Sequence, residues 1–237
     1  MSRLPIIQST PARAPLPTVR ALDALWHEVS KKPLWAPPHF LRYLRLRFNT
    51  RLRLLDSSRV KISAPEGKIN DCGACLDICC VGPRSSVLLR FKDIATLRDL
   101  GRTDLITQNK PTFTPRELAE RPALRRQTAS KAWATFPVLR QNSFGACLAL
   151  TDSGHCSLYP HWPMACARFP YALHLEDQEV FYSDRCDSFW IRPDVGERVR
   201  SMAVAAVASY NERIKDLVLL AYAPKQLEDL GLLQYLK

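Results

Sequence analysis

Residues 71 to 80 read DCGACLDICC, and four of the chain's eight cysteines fall in that decapeptide: Cys72, Cys75, Cys79 and Cys80. Packing alone does not call for this. A buried cysteine behaves as a small hydrophobe and has no need of other cysteines beside it. Two thiols in C-x2-C spacing, followed at once by two more, put several soft donors within a short length of backbone. That is how zinc or an iron–sulfur cluster is held. The remaining four are Cys147, Cys156, Cys166 and Cys186, so all eight lie between residues 72 and 186 and neither terminal segment carries one. Cysteine–metal bonds are therefore expected to staple the middle of the chain.

The rival explanation for eight cysteines is four disulfides. The start, MSRLPIIQSTPARAPLP, is interrupted by proline and has no continuous apolar run of the kind a secretory signal needs. A cytoplasmic protein is therefore expected, although the Arg-rich, acid-poor start has some transit-peptide character. Cytosolic thiols stay reduced. A bridge between the neighbours Cys79 and Cys80 would also be strained. No stretch of about 18 uncharged apolar residues occurs, so no transmembrane segment is expected.

The chain has 237 residues, of which 46% are hydrophobic, enough for one large domain or two small ones. Its net charge of +11 is uneven. Residues 1–61 hold twelve Lys or Arg against three Asp or Glu, and the rest of the chain is nearly balanced. Three segments follow: a basic extension over 1–61, a cysteine-cluster metal domain over 62–193, and helices over 194–237 packed on it. Within the extension, residues 1–18 read as extended or disordered, and a short helix is expected over Val19–Lys31 with Leu22, Leu25 and Trp26 on one side. Residues 39–55 (HFLRYLRLRFNTRLRLL) have Leu41, Leu44, Phe48, Leu52 and Leu55 on one helical stripe, and an alternation that also fits a strand; helix is preferred. A basic amphipathic helix suits an acidic partner offered to residues 39–61, whether protein, nucleic acid or anionic lipid. Docking on the protein's own core is the plainer use of such a helix.

Further along, Ser86–Phe91 reads as a buried strand and Asp93–Leu100 as a helix stopped by Gly101. A helix begins at Thr114, with Pro115 and Glu117 completing the start signal. Strands are expected at Phe136–Gln141, Ala146–Leu150, His155–Leu158 and Glu179–Ser183. Thr151–Gly154 makes the turn that sets Cys147 and Cys156 on opposite arms of a hairpin. Asp194 and Glu197 open a long C-terminal helix with Val199, Met202, Ala206, Tyr210, Ile214 and Leu217 at helical period. A break at Ala223–Pro224 leads to a last short helix. The fold class implied is α+β: a small metal-stapled domain with short strands and long loops, flanked by N- and C-terminal helices.

The cysteines form two modules, Cys72-x2-Cys75-x3-Cys79-Cys80 and Cys147-x8-Cys156-x9-Cys166-x19-Cys186, the second carrying CSLYPHWPMACARFP. In this combination the chain resembles the YkgJ-type cysteine-cluster proteins, a family of zinc- or iron-chelating domains. The resemblance covers roughly residues 70 to 190. It rests on Cys75, Cys79 and Cys80, then on Leu88, Leu89 and Asp93. It continues through Cys147, Leu148, Leu150, Gly154 and Cys156, and through Tyr159, Pro163, Cys166, Phe169, Pro170 and Cys186. The run ACLDICC is also similar to the cysteine run of flagellin lysine-N-methylases. This chain departs from the pattern in having Trp162 where an arginine usually precedes the proline, and Ala167, then Arg168, where an arginine usually follows the cysteine. Arg168 is the candidate substitute, and Trp162 a candidate solvent shield.

All eight cysteines are candidate metal ligands, for an iron–sulfur cluster or iron, or alternatively zinc. His155 and His161 are further candidates as ligands or supporting donors. Asp71 and Asp77 read as turn or cap residues. No Ser/His/Asp pattern, HExxH or phosphate-cradling glycine loop occurs, and eight glycines leave little material for the last. Three functions fit. The first is a cytoplasmic metal-binding accessory protein that meets a partner through its basic region. The second is a cluster-dependent modification enzyme of the methylase kind. The third is an adaptor with structural zinc that binds nucleic acid or a membrane surface.

Overall fold

The computed structural model describes residues 16–31, 54–63, 68–69, 80, 86–109, 136–169, 171–174, 178–182, 190–191 and 196–236. In chain order the helices are α1 (Pro17–Lys31), α2 (Phe91–Asp99), α3 (Met164–Arg168), α4 (Gly196–Tyr222) and α5 (Pro224–Asp229). The strands are β1 (Lys61–Ser63), β2 (Lys68–Ile69), β3 (Ile106–Asn109), β4 (Phe136–Leu139), β5 (Tyr171–His174), β6 (Glu179–Tyr182) and β7 (Trp190–Ile191). Helices and short strands in three small sheets make this an α+β architecture. The readings at residues 1–15, most of 39–55, Asp71, Asp77, Thr114–Glu117 and Asp194 lie outside the described residues.

The larger core gathers one face of each of several elements. α1 starts with Pro17 at its first position, where the missing N–H costs nothing. It buries Val19, Leu22, Leu25 and Val29, a stripe at helical spacing. These meet Phe91, Ile94, Ala95 and Leu97 of α2, Leu105 and Ile106 before and in β3, Leu139 of β4, and Leu219, Ala223, Leu227 and Leu232 at the C-terminal end. One core thus joins residues from near the start, the middle and the end of the chain. Trp26, expected on the buried side, is only partly covered; the ammonium of Lys215 lies 5.7 Å from its ring centre.

Two glycines close helices. After α2, the Gly101 N–H donates to the Arg98 carbonyl and that of Arg102 to the Leu97 carbonyl, with Gly101 at φ +68°. After α5 the same pair of bonds recurs, Gly231 to Glu228 and Leu232 to Leu227, with Gly231 at φ +66°. Both are Schellman endings, which need a left-handed residue. In the second, Leu227 and Leu232 are both wholly buried, the apolar contact that accompanies this motif.

A smaller core forms where the sheet β1–β6–β5 lies on α4. β1 pairs with β6 in parallel, Ile62 opposite Val180, and β5 pairs with β6 antiparallel, Leu173 opposite Val180. Tyr171 and Val180 pack with Ala203, Ala206 and Val207. β2 and β7 form a separate antiparallel pair, as do β3 and β4.

Several sequence expectations are revised. The segment 86–90 is not a strand. It runs beside β4 with one bridge, Leu88 to Val138, and gives way to α2 at Phe91, earlier than the expected Asp93. Ala146–Leu150 and His155–Leu158 are not paired strands either. They are turns joined by the single bridges Gln141–Cys147 and Leu150–Cys156. Alternating apolar residues favour extension there, but the cysteine turns bend the chain every few residues. Strands β1, β2, β3, β5 and β7 were not expected.

Candidate metal centre

Four of the candidate ligands, Cys80, Cys147, Cys156 and Cys166, are described. Cys72, Cys75, Cys79 and Cys186 lie outside the described residues. The four come from distant points of the chain, and none is in a disulfide. The backbone N–H of Cys147 donates to the carbonyl of Cys80 at 2.7 Å, tying the first cysteine module to the second.

Cys147 and Cys156 occupy turns built alike. The Leu150 N–H, three residues on, donates to the Cys147 carbonyl at 3.0 Å. The Tyr159 N–H does the same to the Cys156 carbonyl at 3.1 Å. In each turn the residue two places after the cysteine, Ala149 or Leu158, is buried in the larger core and anchors the loop. The turns are joined directly, because the Ser157 N–H donates to the Ala149 carbonyl at 2.7 Å. The neighbouring amides of Ala149 and Leu150, and of Leu158 and Tyr159, favour the thiolate forms of Cys147 and Cys156.

The enclosure works against that form. Burial pushes the thiols of Cys147 and Cys156 up, and both are raised further by Cys80. Cys166 is pushed up most, by burial first and then by Cys80, Cys147, Cys156 and Asp93. The four sulfurs therefore lie within electrostatic reach of one another, and a second negative charge there is opposed by the first. Without a metal these thiols are held protonated; a metal ion would bind the thiolates and displace their protons.

Cys166 sits in α3, a single turn packed against α4. The start of α3 has no side-chain cap of its own, because its N-cap is Pro163. Asp93 supplies one from α2: its carboxylate accepts the Met164 N–H at 2.9 Å and the Arg90 N–H at 2.8 Å. Asp93 is almost wholly buried, and burial raises its pKa to about 6 against the opposing pull of those two amides. Two more acids lie behind it on α4. Glu212 is buried and paired with Lys215 at 2.6 Å. Asp216 faces the Phe91 N–H at 3.4 Å. The sequence reading missed both. The available signal was their spacing, four residues apart on a helix whose other inward positions are apolar except for Ser209.

The structure gives the remaining candidates other contacts. His155 is exposed and fixed by its backbone to Thr151. His161 is half-buried, its N–H closing a turn onto the Leu158 carbonyl. Arg168 donates to the Tyr171 carbonyl at 3.0 Å, linking α3 to β5. Trp162 is 42% exposed and meets Tyr159 edge-on at 5.1 Å, an outward-facing aromatic pair.

Among the described residues no group of three or more His, Cys, Asp or Glu side chains is arranged to hold one metal ion. The described cysteines are half of the candidate donor set. They fit a thiophilic metal in donor type. Cys80, Cys147, Cys156 and Cys166 would hold it, with further ligands from the other four. Bound there, such a metal would supply either a structural crosslink or, as iron, redox capacity. No protein-family model, curated protein or solved structure matches this chain.

Proposed function

We propose that this chain is a cytoplasmic cysteine-cluster metal protein of the YkgJ type, binding iron, as a cluster or as ions, or alternatively zinc. Its proposed role is accessory: to carry the metal centre while its basic region, residues 39–61, meets an acidic partner. The observation that supports this reading is the pair of matching turns at Cys147 and Cys156, each closed by the amide three residues on, with the Cys147 N–H bonded to the Cys80 carbonyl and Cys166 in electrostatic reach of all three. A purely structural cysteine needs no such company. Among the described residues no helix is long and apolar enough to cross a membrane.

The test is purification under anaerobic conditions, with metal analysis and an absorption spectrum on one sample. Iron with acid-labile sulfide and a broad visible band supports a cluster. Stoichiometric zinc in a colourless protein supports the structural alternative. A metal-free protein whose cysteines are oxidised in pairs would end the metal reading.

A further inference from the structure

Asp93 makes two contacts that no other described side chain duplicates. One carboxylate oxygen accepts the Arg90 N–H and closes the first turn of α2; the other accepts the Met164 N–H and closes the first turn of α3. The first bond is local, three residues apart, and is the reciprocal half of a capping box. The second spans 71 residues and belongs to tertiary structure. α3 has five residues, and its own Pro163 has no side-chain acceptor. So short a helix does not hold itself in water.

We propose that Asp93 is a positioning residue for the metal centre: by capping α3 from α2, it keeps the Cys166 thiol within reach of Cys80, Cys147 and Cys156. This rests on the metal-binding reading above. Three things support it. The residue is a carboxylate in the interior, costly to place there unless it is used. Its bonds go to backbone amides at two helix starts, where a negative group is favoured. The helix it caps carries a candidate ligand two residues beyond the capped amide. An alanine at position 93 takes the acceptor away from two part-buried amides. An asparagine keeps one acceptor oxygen and nearly the same shape.

The experiment uses the full-length protein, reduced and loaded with cobalt(II) without oxygen, as wild type, Asp93→Ala and Asp93→Asn. Two readings are taken: the intensity of the thiolate-to-cobalt absorption, and the alkylation rate of each cysteine by mass spectrometry. In Asp93→Ala the absorption is expected to weaken. Cys166 should be alkylated about tenfold faster, with Cys147 and Cys156 within about twofold of wild type. Asp93→Asn should recover part of both. The inference is overturned if Cys166 keeps its wild-type rate and the absorption is unchanged, or if all four cysteines speed up together in both variants. Should wild type take up no cobalt, the metal reading fails by itself. The alkylation of the metal-free proteins then decides: selective exposure of Cys166 in Asp93→Ala upholds the positioning role, and protection equal to wild type overturns it. If Asp93→Ala does not fold, the asparagine variant carries the comparison.

Discussion

Asp99, in the last turn of α2, caps the first turn of α1 through Thr18. Its carboxylate accepts the Thr18 N–H at 2.8 Å and the Val19 N–H at 3.3 Å, and it also takes the Thr18 hydroxyl. Leu16, just before α1, offers no side-chain acceptor, so Asp99 satisfies donors that would otherwise be left to water. Replacing Asp99 by alanine should lower stability by about 1–2 kcal/mol. A urea titration followed by circular dichroism would measure this. The metal content should be unchanged, because α1 carries no candidate ligand.

The two Schellman glycines should respond differently to the same change. Gly101 has open space where a Cβ would stand, so Gly101→Ala should cost only the left-handed strain, about 1–2 kcal/mol. At Gly231 a Cβ would run into the Arg98 guanidinium, which donates to the Leu230 carbonyl. Gly231→Ala should therefore be the more destabilising variant. Equal melting temperatures for the two would contradict this placement of Arg98.

Asp216 gives the stability a pH dependence. Its pKa is raised to about 7, chiefly by burial; Arg90 and the Phe91 amide pull it down, and Glu212 and Asp93 push it up. Lys215, next to it in sequence, is engaged with Glu212. Its folded-state pKa lies above the value near 3.8 of an ordinary aspartate. Between those two values the folded protein holds a proton that the unfolded chain has released. Stability is then expected to fall as pH rises from about 4 to 7, and to level off above. Asp216→Asn should flatten that slope and raise stability at pH 8 relative to wild type. Unfolding midpoints at pH 5 and pH 8 for both proteins would check it; parallel profiles would show that Asp216 does not titrate in this window.

For the metal centre, single serine substitutions at Cys147, Cys156 and Cys166 should each reduce bound metal well below the wild-type stoichiometry. Far-UV circular dichroism would confirm that the helices remain. The same change at Cys75 and Cys79 tests the first module. Unchanged metal content across the Cys75, Cys79, Cys156 and Cys166 variants would remove the cysteines from the ligand set.

What the sequence made legible followed strong local signals. α1 and α4 were readable because apolar residues recur at helical spacing over many turns, and α2 because Gly101 terminates it. β4 and β6 were readable as short β-branched or aromatic runs. The two arms at Cys147 and Cys156 were misread as strands. Their alternation is real, but tight turns onto the Cys147 and Cys156 carbonyls and single bridges replace the ladder. The convergence of Cys80 with Cys147, Cys156 and Cys166 was suggested only by their number and clustering, because spacing does not say which distant thiols meet. The part played by Asp93 was not legible, since its second bond reaches an amide 71 residues away. Glu212 and Asp216 were hidden for the opposite reason: on a helix, acidic residues ordinarily face water.

The hydrogen bond from Cys147 to the Cys80 carbonyl has a consequence for synthesis. The two partners and Cys166 leave the ribosome in sequence, and chains grow at about 5–20 residues per second. The thiols of the 71–80 run are thus exposed for roughly ten seconds before Cys166 emerges to join them. On the proposed metal-binding reading, that interval leaves them a multidentate chelator open to whichever soft metal is most available. Selection of the ion would, on the same reading, fall to the later steps, when Cys147 joins Cys80 and Cys156 and Cys166 follow.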